Sequence, residues 1–217
     1  MHAAPIALAL AAVLAVQAPP AGSPEQLAAR VQQRYEGIRD FQADFQQSYT
    51  GGVLRTTTTE RGTVAIKRPG LMRWEYTRPE RKEFVSDGVR MYAYVPADKQ
   101  VIVSPAPDEA TTPALFLAGR GDLTRDYTAS FTDLPGEGGG LVGLKLVPNR
   151  SDPDYDWLIL GLDRQSLQIR QLVAMDRQGG RSTFVFSNLK ENQGLTDKTF
   201  EFRIPRGVDV ITNGLPK

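Results

Sequence analysis

A repeating alternation of apolar and polar residues is the feature that most constrains what this chain can fold into. In the segment 71–76, Met72, Trp74 and Tyr76 fall on one side, while Arg73 and Glu75 fall on the other. A spacing of two is typical of a β-strand with one buried face. The same spacing recurs in five further segments, namely 41–49, 62–67, 91–95, 184–186 and 200–204.

Short turn signals separate these segments. The sequence Ser86-Asp87-Gly88 stands before 91–95, and the segments 136–140 and 176–180 are typical of hairpin loops. About ten antiparallel strands at hairpin spacing predict a mainly β protein, in which the sheet forms a barrel or curves strongly.

One amphipathic helix is predicted before the first strand. Ser23 can act as the N-cap, Pro24 suits the first turn, and Gln26 completes a capping box. Apolar residues then recur at helical spacing as far as Tyr35, and Gly37 marks the end of the helix.

A second, short helix is predicted over 112–119. Thr112 and Pro113 begin it, Gly119 ends it, and the residues between them are apolar on every face. Such a helix must be covered by protein or must itself cover apolar material. Two interpretations stay open at this point: a plug over the open mouth of the sheet, or a helix that fills the core without a ligand.

The pair Arg68-Pro69 stands directly before the strand 71–76. Proline cannot donate to a β ladder, so Pro69 marks the start or the edge of a strand. The Arg68 guanidinium carries five donors and could bind backbone carbonyl groups of a segment that closes over it. A solvated arginine at a strand end is the alternative from the residues alone.

The residue inventory excludes most enzyme chemistry. The chain has no cysteine, and its one histidine is His2. His2 lies in the leading segment that we expect to be removed, so the mature chain has neither Cys nor His, and thiol nucleophiles, thiolate metal sites and the commonest general base are excluded. Catalysis by a pair of carboxylates is the enzyme class that remains.

The net charge is +1, and the basic residues near 67 and 81 alternate with glutamates, so we expect no nucleic-acid partner.

A calcium-like spacing appears at Asp152, Asp154 and Asp156, with Asp163 at the place of the last ligand. The sixth position, which needs glycine in such a loop, is Trp157. We therefore predict no metal site and no cofactor.

The first 22 residues are typical of a secretory signal peptide. An apolar run over 3–16 is too short to span a bilayer and is followed by small residues and prolines. We expect residues 1–22 to be removed on export and 23–217 to form a single, soluble domain.

The order of these pieces resembles the outer-membrane lipoprotein carrier proteins of Gram-negative bacteria, the LolA family. The resemblance covers nearly the whole mature chain. Its motifs are Phe41-x-Ala43-x-Phe45, Lys67-Arg68-Pro69 with Trp74, Val85-Ser86-Asp87-Gly88 with Tyr94-x-Pro96, Thr112-Pro113 before the apolar helix, and the segment 202–207.

The resemblance implies an incomplete antiparallel β-barrel with a helical lid over a hydrophobic cavity. It implies a periplasmic, monomeric carrier rather than an enzyme. Its cargo would be acylated lipoproteins, received from an inner-membrane ABC transporter and passed to an outer-membrane receptor lipoprotein. Arg68 falls on the family's arginine that holds the lid. The acyl-chain cavity is expected to be lined by Met72, Trp74, Met91, Leu115, Phe116 and Leu117.

Two other functions remain as alternatives. The first is a periplasmic protein of the same fold that binds or senses another lipid. The second is a carboxylate-dependent hydrolase, since the distance between carboxylates is not visible in a sequence.

Overall fold

The computed structural model describes residues 22–52, 55–106, 121–134, 140–152 and 154–214. Within them lie one α-helix, α1, and twelve strands. Their bounds are α1 Pro24–Glu36, β1 Asp40–Thr50, β2 Thr57–Lys67, β3 Leu71–Arg78, β4 Lys82–Asp87, β5 Arg90–Val95, β6 Gln100–Pro105, β7 Tyr127–Thr132, β8 Leu141–Pro148, β9 Trp157–Asp163, β10 Ile169–Met175, β11 Arg181–Glu191 and β12 Asp209–Thr212.

All twelve strands belong to one curved, open sheet, which confirms the predicted mainly β fold. Its order is β12-β6-β5-β4-β3-β2-β1-β11-β10-β9-β8-β7. The strands β1 to β6 form one meander and β7 to β11 a second, and the antiparallel pair β1–β11 joins them. Among the described strands, β12 and β7 are therefore the two edges of the sheet.

Two details differ from the sequence expectation. The sheet has twelve strands where about ten were predicted, and β12 pairs with β6 in the parallel direction. The two strands of this parallel pair are far apart in the chain, and the segment 192–208 leads from β11 to the β6 edge.

The first helix forms as its capping residues predict. The Ser23 side chain accepts from the backbone N–H of Gln26, and the Gln26 side chain accepts from the Ser23 N–H. The helix ends at Gly37. Four residues of one face are buried, namely Leu27, Ala28, Val31 and Tyr35. This face packs against β7 and β8.

The side of the sheet that α1 covers is called the inner face. The main apolar core lies there and combines α1 with alternate residues of β1 to β3 and β7 to β11. Of the residues that the alternation singled out, Phe41, Phe45, Val64 and Ile66 are all buried in it. The period-two pattern therefore identified the inner face correctly.

A second, smaller core lies on the outer face of β4 to β6. Val85, Tyr92, Val101 and Val103 are covered there by the segment 197–208, which is called the C-terminal strap. The ring of Phe202 in the strap stacks on Tyr92, with 5.1 Å between ring centroids.

The prediction of a strand over 200–204 is wrong. The strap begins with a 3-10 helix, Asp197–Phe200, and residues 201–205 join no ladder. The Arg73 side chain holds it instead, donating from Nε to Thr199 O at 2.7 Å and from Nη2 to Glu201 O at 2.8 Å. Alternate aromatic residues here pack flat on the sheet and do not extend it.

Several predicted features fall outside the described residues. They are the signal peptide up to residue 21, the helix over 112–119, and the loop 136–140 except Gly140. The strands on either side of that loop, β7 and β8, do pair antiparallel. Among the helices described, none has the length and apolar character needed to cross a bilayer.

Candidate functional site

Six aromatic side chains meet on the inner face where the two meanders join. They are called the inner aromatic cluster and consist of Phe45, Trp74, Tyr76, Phe84, Phe184 and Phe186. The rings of Phe45 and Trp74 have centroids 5.0 Å apart, and Trp74 and Phe184 are 5.5 Å apart, both edge to face. Phe184 and Phe186 are stacked at 6.4 Å. Edge-to-face and offset pairs are the favoured arrangements of aromatic rings.

The predicted residues Met72, Trp74 and Met91 all lie on this face. Met72 and Trp74 are buried in the inner core, and Met91 is partly buried against it. Met72 and Met91 lie on either side of Ser86, which is the register partner of both. Flexible thioether side chains next to rigid rings make an apolar surface that can adapt its shape.

Polar groups border the cluster at Tyr76. The phenol of Tyr76 donates to Gln47 Oε1 at 2.6 Å, and Lys82 Nζ lies 4.3 Å from the centre of the Tyr76 ring. An ion pair with Glu60 holds Lys82 in place, with 2.7 Å between Lys82 Nζ and Glu60 Oε1. Burial raises the pKa of Tyr76, so its phenol stays neutral beside the apolar rings.

Arg68 lies in the turn between β2 and β3, at the end of the sheet where α1 also ends. Its backbone N–H donates to Arg39 O at 2.8 Å, and its peptide bond to Pro69 is cis. The side chain is half-buried, and burial lowers the pKa of the guanidinium, with opposing effects from nearby Tyr35 and Glu36. Arg68 thus lies beside the end of α1, and its role as a latch of the lid stays a prediction.

Asp40 fixes the loop next to this turn. Its buried carboxylate accepts from three backbone N–H groups, those of Gln193, Gly194 and Leu195, at 2.7, 3.0 and 3.2 Å. The Asp40 backbone carbonyl also accepts from the N–H of Asn192 at 2.8 Å. Four contacts to one residue hold the chain between β11 and the C-terminal strap.

The segment with the predicted lid, 107–120, connects the two edge regions of the sheet. Before it, the N–H of Ala106 donates to Val89 O at 2.9 Å, beside β6. After it, the N–H of Leu123 donates to Gln32 Oε1 of α1 at 3.1 Å, just before β7. Leu115, Phe116 and Leu117 lie outside the described residues, so their place in the cavity wall stays a prediction.

Two spaces next to the sheet differ in character. A narrow space between α1 and the inner face, lined mainly by Tyr35, Phe41 and Phe186, does not admit a water-sized sphere. On the outer face, a groove of about 680 Å³ is lined by charged residues such as Asp44, Arg73 and Lys190. Hydrocarbon in the outer groove would desolvate these charged groups, which disfavours its binding there.

The described residues contain no group of three or more His, Cys, Asp or Glu side chains that could hold a metal ion. In the calcium-like segment, Asp152 Oδ1 accepts from the N–H of Asp154 at 2.9 Å, which is a local turn contact.

Two parts of this site are not visible in the sequence. The alternation places Phe45, Phe84, Phe184 and Phe186 in strands but does not group them around Trp74, because grouping them requires the strand order. Asp40 carries no signal either, since a single carboxylate at the start of a strand is ordinarily solvated.

Comparisons with known proteins agree over most of the chain. A family model described as outer membrane lipoprotein carrier protein LolA matches residues 36–203. An outer-membrane lipoprotein carrier protein of Chromohalobacter salexigens is 35% identical over 215 residues, which is 96% of this chain and 97% of that protein. Another, from Pseudomonas syringae pv. syringae, is 32% identical over 208 residues, 95% of this chain and 98% of that protein.

Among solved structures, an uncharacterized conserved protein of Thermus thermophilus aligns with a TM-score of 0.54 at 16% identity. The alignment covers 87% of this chain and 98% of that chain. This likeness concerns the fold.

Proposed function

We propose, from the premise that this chain belongs to the LolA family of outer-membrane lipoprotein carrier proteins, that it binds the acyl chains of lipoproteins on the inner face of its sheet. The role of lipoprotein carrier follows from that membership, and a periplasmic, exported protein is the setting that it implies.

The physical need for such a carrier is large. Burying one methylene contributes about 0.8 kcal/mol, so three acyl chains with roughly 45 methylenes gain on the order of 35 kcal/mol on leaving water. A lipoprotein cannot cross an aqueous compartment unaided against that free energy. A carrier must therefore offer an apolar surface and still release the cargo.

The inner aromatic cluster is the observation that carries the proposal. It joins the two meanders and continues through Met72 and Met91, and the chain on either side of the segment with the predicted lid is held at Val89 and at Gln32 of α1. We propose that Leu115, Phe116 and Leu117 close over this surface when no cargo is bound. Lid contacts in the empty state would offset part of the free energy gained by the cargo, which permits onward transfer.

Arg68 is proposed as the latch of the lid. Its half-buried guanidinium at the rim can donate to lid carbonyl groups in the empty state and release them when acyl chains enter. Burial strengthens hydrogen bonds of a cation, so a latch of this kind needs the partial burial that Arg68 has.

The partners proposed are an inner-membrane ABC transporter that supplies cargo and an outer-membrane receptor lipoprotein that accepts it. The protein would act as a monomer and perform no chemistry on its cargo. Its relatives are named as carriers, which supports a binding function over hydrolysis by a carboxylate pair.

The two tryptophans allow a controlled test of the site. Trp74 lies in the inner aromatic cluster, whereas Trp157 lies on the outer face with Lys145 Nζ 5.0 Å from the centre of its ring. Binding of a triacylated peptide should change the emission of the Trp157→Phe variant, in which Trp74 remains. The Trp74→Phe variant, which reports from the outer face, should change little.

Equal responses from both variants, or none from either, would contradict binding on the inner face. Native mass spectrometry of protein recovered from the periplasm identifies the cargo. A bound acylated polypeptide supports the carrier, whereas a bound free lipid would favour the alternative of a sensing or binding protein for another lipid.

A further inference from the structure

Two isoleucines are exposed side by side at the β12 edge of the sheet. Ile102 of β6 and Ile211 of β12 are register partners, with 37% and 40% of their surface exposed. Exposing neighbouring β-branched side chains forfeits part of the free energy of burying them. An adjacent pair therefore points to something that covers it in function.

Strand register places both isoleucines on the inner face. Ile102 is opposite Ala93 of β5, and Ala93 is opposite Phe84 of β4. Phe84 in turn is opposite Trp74 of the inner aromatic cluster. Opposed residues in a ladder share one face of the sheet.

These residues form one apolar row across five strands, Trp74–Phe84–Ala93–Ile102–Ile211. The exposed fraction of the residues is 6% at Trp74, at one end of the row, and 40% at Ile211, at the other. The row spans four inter-strand spacings of about 4.8 Å, roughly 19 Å in all, which is similar to the length of a long, extended acyl chain. It begins in the proposed cargo site and ends at the open edge.

The outer face of the same strands is different. Val101 is fully buried and Val103 nearly so, because the C-terminal strap covers them. Val210, the neighbour of Ile211 on β12, points to the outer face because it is the register partner of Val101, and it is 49% exposed. Ile211 and Val210 are thus adjacent, similarly exposed residues on opposite faces.

We propose that the Ile102–Ile211 pair is a subsite for the distal part of a cargo acyl chain, which lies across the strands along this row. The inference rests on the proposed carrier function and extends it to the edge of the sheet. A strand added to β12 would bond to its free backbone edge, whereas these side chains stand on the face that continues into the aromatic cluster. Because the pair extends the apolar surface of that cluster, hydrocarbon is the occupant that fits it.

The test compares triacylated peptides with acyl chains of two lengths. Binding is measured by the emission of Trp74 in the Trp157→Phe background. One chain is long enough to span the row, and the other is about half as long. Ile211→Asp should weaken binding of the long chain by about tenfold and leave the short chain within about twofold. Val210→Asp is the matched control and should change neither.

Ile211→Ala is a second variant for the case that Ile211→Asp separates β12 from the sheet. It keeps a small apolar side chain, and it should reduce the preference for the long acyl chain without altering the far-ultraviolet circular dichroism spectrum. Equal effects of Ile211→Asp and Val210→Asp would overturn the subsite while leaving the carrier function intact. The same holds if Ile211→Asp acts only by abolishing a dimer seen in sedimentation. If the unsubstituted protein binds neither chain, the carrier proposal itself fails.

Discussion

Replacing Asp40 should destabilise the end of the sheet that carries Arg68. Asp40 is 4% exposed, and its carboxylate accepts from the N–H groups of Gln193, Gly194 and Leu195. Asp40→Ala removes all three hydrogen bonds at once. Hydrogen bonds to a charged acceptor contribute about 1.5–3 kcal/mol each, but the loop is largely exposed, so water can satisfy part of the freed N–H groups.

We therefore expect a loss of about 3–4 kcal/mol in the free energy of unfolding, below the roughly 4.5 kcal/mol minimum for three such bonds because water replaces part of them. For a chain of this size, that corresponds to a fall of roughly 6–16 °C in the melting temperature. Asp40→Asn keeps one acceptor oxygen and turns an N–H₂ group towards donors, so it should lie between Ala and the unsubstituted protein.

Urea denaturation followed by circular dichroism measures the three proteins on one scale. Asp44→Ala is the control on the same strand, because the Asp44 carboxylate accepts an exposed hydrogen bond from Asn188 Nδ2 at 2.7 Å, and its loss should cost below about 1 kcal/mol. The reasoning is refuted if Asp40→Ala unfolds within about 1 kcal/mol of the Asp44→Ala variant.

Three further outcomes are expected. Arg68→Leu should stay folded and loaded but transfer cargo poorly in a reconstituted assay, and normal transfer would argue against a latch. Phe116→Asp, in the predicted lid, should abolish cargo loading with little change in secondary structure; unchanged loading would show that the helix is only filler. Burial raises the pKa of Tyr35 above its ordinary value of about 10, because the folded protein holds the phenol in its neutral form. The free energy of unfolding that this preference contributes is fully present below pH 10 and should be lost as the pH rises towards the folded-state pKa. Tyr35→Phe should reduce this alkaline loss in urea midpoints without removing it, because burial also raises the pKa of Tyr76, Tyr127 and Tyr155, and an identical pH profile would contradict the assignment.

The sequence predicted those parts of the fold that depend on local chemistry. The capping box of Ser23 and Gln26 involves residues three apart, and the helix begins there as expected. The alternation of Met72 and Trp74 reports one buried face of a strand, and both are buried. Arg68 was placed at the rim because Pro69 marks the start of the next strand.

Other parts depend on segments that are far apart in the chain. The alternation of Phe200 and Phe202 imitates a strand, yet Arg73 holds that segment flat on the outer face. The importance of Asp40 depends on a loop some 150 residues later, which no local pattern reveals. The row that ends at Ile211 appears only once the parallel pairing of β12 with β6 is known.

The β1–β11 ladder has a consequence for how the protein matures. The strands β1 to β6 can pair with one another early, but β1 receives its second neighbour only when residues 181–191 have been made. Until then a strand of eleven residues offers a bare edge on which foreign strands can grow. Contacts of such long range also slow folding. The newly made chain is therefore most prone to aggregate in the interval before its two halves join, and a holding chaperone would act best at that stage.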